Sequence, residues 1–487
     1  MMPVELENLL NQVRALKAET QTLELKAAAQ GCPTRLYDTL SSFSNQDEGG
    51  TILFGVDEQN GFAPVGVYDA QDLMKHVTEQ CSQMTPVVRP VFTTLPKDGK
   101  VFVSAEIPGL DAADRPCFYA GKGRLKGSYV RVGDADQPMT EYEIYSYEAF
   151  RRKYQDDIRP VEQATPRTLD ADSLERYLVK LKTGRPNLSQ LKTDDICELM
   201  GMTREGIPSM AAVQLFGLFP QAYFPQLCIT AVSVPGTEVG LLGPEGERFL
   251  DNRRIEGTLT QMLEDALAFV RKNIRIKTII DPETGKRADR EDYPLTAVRE
   301  AILNALIHRD YSVHTEGMPI QILLFEDRFE VRSPGGLYGR LRIDQLGKVQ
   351  PDTRNPVLAV AMEVLGETEN RYSGIPTMRR ELAQAGMAEP EFREERGTFV
   401  VCFRKAAEVS TAEPSTVYGG DSLAEKLLQF CAVPRTRQEI ANFLNIKSVP
   451  YAIKSHITPL VEQGLITLSL PDRPKSPKQR YTAAGKK

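Results

Sequence analysis

The chain has 487 residues, of which 41% are hydrophobic and 26% charged, with a formal net charge of −6. That length exceeds what one hydrophobic core serves, so two to four domains are expected. No apolar run approaches the ~18–20 residues of a membrane span, and the N-terminus has no basic-then-apolar signal pattern, which predicts a cytoplasmic protein without a membrane partner. The seven cysteines are scattered with no CxxC or Cys/His cluster, which argues against a structural zinc site or a disulfide framework and for small buried apolar residues. Charge is unevenly placed: residues 421–487 carry 11 Lys+Arg against 5 Asp+Glu, while residues 1–420 carry 49 against 61. A basic tail on an acidic body puts any nucleic-acid contact at the C-terminus.

From the start, periodicity predicts a leading helix over Val4–Ala29 and a second apolar segment over Leu36–Phe43. Alternating strand signals follow in TILFGV, VFVSAEI and GSYVRVG. Residues 1–158 resemble the Schlafen-like AlbA-type domain through Ser42-Phe43-Ser44-Asn45, Gly49-Gly50, Gly55-Val56-Asp57-Glu58, Glu24-Leu25-Lys26 and the segment GSYVRVGDADQPMT. The resemblance implies an α/β domain that binds nucleic acid. Some members of that family cut RNA with three carboxylates, and Glu19, Glu24 and Asp57 stand at the matching positions. Clustered, they could hold a divalent metal for phosphodiester cleavage; otherwise they are solvated acids in a domain used for binding or assembly.

Residues 159–250 open on a proline-bearing linker and read as a helical connector: two helices (LERYLVKLK, TDDICELMG), then a helix leading into a strand over Met210–Val234. No site chemistry stands out here.

Residues 251–405 begin with a long amphipathic helix expected over Ile255–Ile276. The helix Tyr293–Asp310 follows, with Val298, Ile302, Leu303 and Leu306 at helical spacing. Glu300, Asn304 and His308 fall at i, i+4 and i+8 and share a second, narrower stripe. A carboxylate four residues before a carboxamide suits a magnesium–nucleotide site, since the amide oxygen can ligate a hard cation and the carboxylate can orient a water. Two strands turning at Glu326-Asp327-Arg328 come next, then SPGGL at 333–337, a helix opened by Asn355-Pro356, YSGI at 372–375, a further helix and a last strand GTFVVCF.

This order of acidic–Asn helix, glycine loop and second glycine loop resembles the GHKL ATPases. REAILNALIHRDY is closer to the divergent GHKL-like domain of a bacterial family described as transcriptional regulators and often labelled RecG-like helicases. The resemblance implies a two-layer α/β sandwich binding ATP and Mg²⁺. Asn304 would ligate Mg²⁺ and Glu300 would orient the attacking water of a weak ATPase. Gly335, Gly336 and Gly374 would let backbone approach the nucleotide. Ser373 with the amides of Gly374 and Ile375 would hold phosphate, and Arg371 would supply counter-charge. His308 and Arg309 would do the same or cap the helix. Ser333 stands where GHKL proteins read adenine with an aspartate, and the second loop has one glycine where they have two or more. No GxxxxGK[ST] occurs, and GKGRLKGS at 121–128 has the wrong spacing, so a helicase is not expected.

Residues 406–420 are small and polar, a linker. Residues 421–487 read as three short helices and a basic hairpin, a winged helix-turn-helix. Tyr451, Lys454 and Ser455 would lie early on its recognition helix, and Arg473, Lys475, Lys478 and Arg480 on the wing against phosphate. The whole is a multidomain α+β chain whose order resembles one bacterial architecture, implying an ATP-binding, DNA-binding transcriptional regulator that could act as a homodimer. The rival reading is a metal-dependent nuclease at the N-terminal acids, gated by ATP and acting on RNA or DNA in defence against foreign nucleic acid.

Overall fold

The computed structural model describes residues 1–280, 287–368, 373–395, 397–405, 427, 430–443, 453, 457–462, 465–469 and 479–483. The chain divides into two compact units, Met1–Ala407 and Glu408–Lys487. All seven cysteines are free and all but Cys32 are buried. Among the described residues no helix is long and apolar enough to cross a membrane.

Helix α1 (Pro3–Leu16) buries Leu6, Leu10 and Val13, a single stripe at helical spacing. It does not run on to Ala29 as expected. Lys17 takes a left-handed φ of 50°, and the alternating segment that follows becomes strand β1 (Leu23–Lys26). Its pairing residues lie far along the chain: β1 is parallel to β2 (Gly50–Phe54), beyond α2 (Tyr37–Ser44). After α3 (Ala70–Ser82) come β3 (Val91–Lys97) and β4 (Lys100–Ile107), and the sheet order is β1-β2-β4-β3. One apolar cluster packs α2 and α3 on this sheet through Leu36, Leu40, Phe43, Leu73 and Val77. A second packs α1 through Leu6 and Leu10 against Leu25 and Leu53. The sheet is therefore covered by helices on both faces. A ribbon of β5 (Tyr129–Val132) and β6 (Ala135–Pro138) is tied to α2, with Tyr129 N donating to Ser41 Oγ at 2.8 Å and Ser42 Oγ donating to Asp136. Helix α4 (Glu141–Arg152) begins at a capping box in which Thr140 Oγ accepts from Glu143 N and the Glu143 carboxylate accepts from Thr140 N.

Three connector helices follow: α5 (Ala171–Gly184), α6 (Thr193–Leu199) and the fully buried α7 (Met210–Phe216). Strands β7 (Ile229–Ser233) and β8 (Asp251–Ile255) come next, and helix α8 (Leu259–Asn273) is shorter at both ends than expected, because β8 claims Ile255 and a further strand begins at Ile276. Then come α9 (Leu295–His308), β9 (Ile320–Leu324), β10 (Arg328–Pro334), α10 (Pro356–Leu365), α11 (Gly374–Gln384), β11 (Glu391–Glu395) and β12 (Thr398–Arg404). The six strands form one sheet, β8-β7-β9-β10-β12-β11. All its neighbours are antiparallel except β7 and β9, which run parallel. The expected domain boundary at 250/251 falls inside this sheet, so the connector contributes an internal strand and its helices share the core. Tyr177, Phe216, Leu263, Ile302, Leu306, Ile322 and Phe403 belong to one apolar cluster.

In the second unit, the described residues include helices Arg437–Phe443 and Thr458–Glu462 and a three-stranded sheet in which Arg480–Ala483 lies between Arg435–Thr436 and Ile466–Leu468. Ile440, Ile457, Leu460, Ile466 and Tyr481 form its core. The expected linker 406–420 lies outside the described residues.

Candidate functional site

Helix α9 carries a wide apolar face, Ala297, Val298, Ala301, Ile302, Ala305 and Leu306, into the core. The remaining stripe of Glu300, Asn304 and His308 lines a cavity of about 190 Å³. Ser333, Gly335 and Gly336 at the end of β10, and Ser373, Gly374 and Ile375 at the start of α11, line the same cavity. Val331, Met378, Phe399 and Val401 give it an apolar wall.

The second glycine loop closes directly on the polar stripe. A Cβ added at Gly374 would lie 2.9 Å from Glu300 Oε2 and 3.2 Å from Asn304 Nδ2, closer than side-chain carbons pack, so only glycine fits without displacement. Gly335 has φ +104°, and a Cβ there would meet Arg354 Nη1 at 2.5 Å and the Asp310 backbone N at 2.9 Å. Ser333 is buried, and its Oγ donates to Ala305 O at 3.2 Å. The hydroxyl hydrogen is taken, and what remains toward the cavity is acceptor capacity. The His308 ring opens onto the cavity although protein surrounds it; desolvation, with Arg354 adding a smaller repulsion, holds its pKa down to about 4. At pH 7 this imidazole is neutral.

Of its two expected roles, Arg309 takes the second: it is the C-cap of α9, its amide donating to Ala305 O. It is 2% exposed, its Nη2 donates to Thr315 O and Met318 O at 3.1 and 2.9 Å, and it stacks over Tyr311. These bonds anchor the loop after α9 and leave the guanidinium no part in the cavity wall. Arg371 lies outside the described residues.

The N-terminal acids are arranged differently. Arg131, with a 1% exposed side chain, sits 2.9 Å from Glu24 Oε2, 2.9 Å from Asp136 Oδ1 and 3.9 Å from Glu19 Oε2, over the Phe43 ring. Lys26 also pairs with Glu24. Glu19 accepts the Leu25 amide at 2.7 Å, and burial pushes its pKa up to about 7. Asp57 caps its own turn, accepting from Gln59 N and Asn60 Nδ2. Among the described residues no group of three or more His, Cys, Asp or Glu side chains is placed to hold a metal ion. In this arrangement the buried Arg131 pairs with Glu24 and lies near Glu19, and Asp57 serves its own turn.

In the second unit Tyr451, Lys454, Ser455, Arg473, Lys475 and Lys478 lie outside the described residues. Arg480 is exposed on the central strand, where its backbone pairs with Ser469.

The family model "Schlafen, AlbA_2" matches residues 19–140, and "Putative ATP-dependent DNA helicase recG C-terminal", an HATPase-type model, matches 317–403. The chain carries a Schlafen AlbA-like domain and a RecG-type HATPase domain. Both point to a nucleic-acid-related protein that binds ATP. "Filamentation induced by cAMP protein Fic-like, C-terminal domain" matches residues 424–483. Among solved structures, the DIP2311 protein of Corynebacterium diphtheriae is 17% identical over 99% of this chain and 97% of its own, with a TM-score of 0.38. The N-terminal domain of a RecG-related protein of Nitrosomonas europaea is 25% identical over 29% of this chain and 94% of its own, with a TM-score of 0.23. No curated protein matches the chain.

Helix α9 precedes the residues matched by the HATPase model, so its place in the cavity rests on geometry. Sequence reasoning overlooked Arg354 and Asn355 of this domain. Asn355 is fully buried, and its Nδ2 donates to Ile307 O and Arg309 O at 2.8 Å each, closing the orphan carbonyls at the end of α9. Arg354 lines the cavity beside it. The signal available in the sequence is the run Thr353-Arg354-Asn355-Pro356, of which only Asn355-Pro356 marks a helix start by local pattern.

Proposed function

We propose that the protein is a nucleotide-responsive, DNA-binding transcriptional regulator whose ATP site is the α9 cavity. The observation that carries this reading is the convergence of Glu300, Asn304 and His308 with both glycine loops on one cavity within an HATPase-type domain. The residue types suit Mg²⁺: Glu300 Oε2 and the Asn304 amide approach one point beside Gly374, and with the amide turned so that Oδ1 rather than Nδ2 faces it, both would offer the hard oxygen donors that cation takes. When bound, Mg²⁺ would offset phosphate charge. Asn304 would hold the ion, and Glu300 would orient a water for weak hydrolysis. The amides of Gly374 and Ile375 at the start of α11, with Ser373, would face phosphate. Ser333, with its hydrogen given to Ala305 O, would accept an N–H from the base.

The basic unit 421–487 would contact DNA as a winged helix through Tyr451, Lys454 and Ser455 and the wing residues Arg473, Lys475, Lys478 and Arg480. Occupancy of the cavity would alter DNA affinity or homodimer formation in a cytoplasmic protein by favouring one arrangement over another. A regulator is preferred to a nuclease because Arg131 holds the acid a metal would need.

Calorimetric titration of ATP with Mg²⁺ into the wild type and Asn304→Ala tests the reading. Micromolar binding that weakens at least tenfold in the variant is expected. Flat traces for both would overturn it.

A further inference from the structure

Arg354 is 6% exposed and lines the cavity. Its Nη2 donates to Gly336 O at 3.3 Å and its guanidinium lies 5.1 Å from the centre of the Tyr338 ring. Nη1 forms an ion pair with Asp310 Oδ2 at 3.2 Å outside hydrogen-bonding geometry, with Tyr142 also beside it, so its buried protons are poorly matched. A buried guanidinium edge with unmatched protons is costly unless an acceptor completes it. Around it lie the Gly335–Gly336 backbone, Asp310, Tyr338 and the cavity, with Tyr145 and Asp156 on the side toward α4.

Asp310 is shared. Its Oδ1 accepts from Ser312 N at 2.8 Å, and the Oδ2 that faces Arg354 also accepts from Tyr142 Oη at 2.9 Å. Tyr142 is the second residue of α4, the helix that leaves the AlbA-like domain. The same helix places Phe150 edge-on to Tyr338, centroids 5.4 Å apart. One helix thus touches two of the three residues that flank Arg354.

We propose that Arg354 is an anion-reading residue of the cavity, and that Asp310 couples its engagement to the seating of α4. This rests on the cavity taking an anionic ligand, of which a nucleoside triphosphate is the proposed one. A phosphate oxygen at Nη1 forms a charge-assisted bond that Asp310 does not supply in this geometry. It draws Arg354 off Asp310, which is left to Tyr142, and α4 is held more firmly. By reciprocity, removing the Tyr142 hydroxyl leaves Asp310 to Arg354 and weakens the ligand.

The test uses the full chain with ATP, adenosine and pyrophosphate as separate probes, and hydrogen exchange over residues 141–152. Arg354→Met should lose ATP affinity tenfold or more while adenosine binding is unchanged, and Arg354→Lys should fall between. ATP should slow exchange in 141–152 of the wild type. Tyr142→Phe, which keeps the ring, should bind ATP about threefold more weakly and lose that protection. Equal ATP affinity in Arg354→Met and wild type overturns anion reading. Unchanged exchange in the wild type, or wild-type affinity in Tyr142→Phe, overturns the coupling. Pyrophosphate binding without ATP binding would sink the nucleotide reading and leave Arg354 standing; binding of neither overturns both.

Discussion

Two sets of acidic and polar residues in this protein have comparable chemistry and opposite surroundings. In the AlbA-like domain, Glu24 and Asp136 close on a buried Arg131, and Asp57 is held by its own turn. On α9, just before the residues that the HATPase model matches, Glu300, Asn304 and His308 line a cavity. Glu24 and Asp57 lie on separate strands, and Glu24 meets Asp136 only through the ribbon that carries both Arg131 and Asp136. The second set lies on one helix, where spacing alone fixes its shared face. A motif locates a residue along the chain, but its neighbours decide whether it is available to a ligand.

Replacing Arg131 with alanine tests this contrast most severely. Half-buried Asp136 would lose its counter-charge and buried Glu24 would keep only Lys26, at a cost on the order of 3 kcal/mol. Denaturant unfolding should show that loss. A variant as stable as the wild type, with newly acquired metal-dependent cleavage, would revive the three-carboxylate site.

The next largest effect belongs to Asp157, which links the connector to the cavity side. Its Oδ2 accepts from Val357 N and Leu358 N at the start of α10. Burial nevertheless pushes its pKa up to about 6. Between pH 4 and 6 the folded state therefore holds a proton that the unfolded chain gives up, and stability falls as pH rises through that window. By pH 7 the loss reaches about 3 kcal/mol. Stability curves at pH 4 and 7 should show this slope in the wild type, reduced by that amount in Asp157→Asn.

Ser333→Ala removes one of two donors to Ala305 O, which keeps the Arg309 amide, and should cost no more than about 1 kcal/mol. It should also weaken ATP relative to pyrophosphate if the hydroxyl reads the base. Asp57→Ala should change stability by no more than ~0.5 kcal/mol, as for a surface turn; a much larger loss in thermal melts would mean that this acid is held by more than its own turn.

Local periodicity made much of this architecture legible. The α9 stripe, the hairpin β9–β10 and the helix 356–365 are local patterns, and the structure has them where the sequence puts them. What escaped were partnerships between distant segments. Leu23–Lys26 looks like the end of a helix until β2 offers it a parallel edge. Arg309 and Arg354 are both arginines near the cavity in sequence or space, and only tertiary packing gives one to backbone carbonyls and the other to the cavity wall.

The parallel pairing of β7 with β9 has a consequence for synthesis. Ile229–Ser233 can form a hairpin with Asp251–Ile255 early, but its other edge stays bare until Ile320–Leu324 has left the ribosome. At ordinary elongation rates that interval is roughly 4–17 s. For those seconds the nascent chain presents an apolar strand edge able to pair with other chains. The yield of folded protein should therefore depend on translation speed between residues 234 and 324.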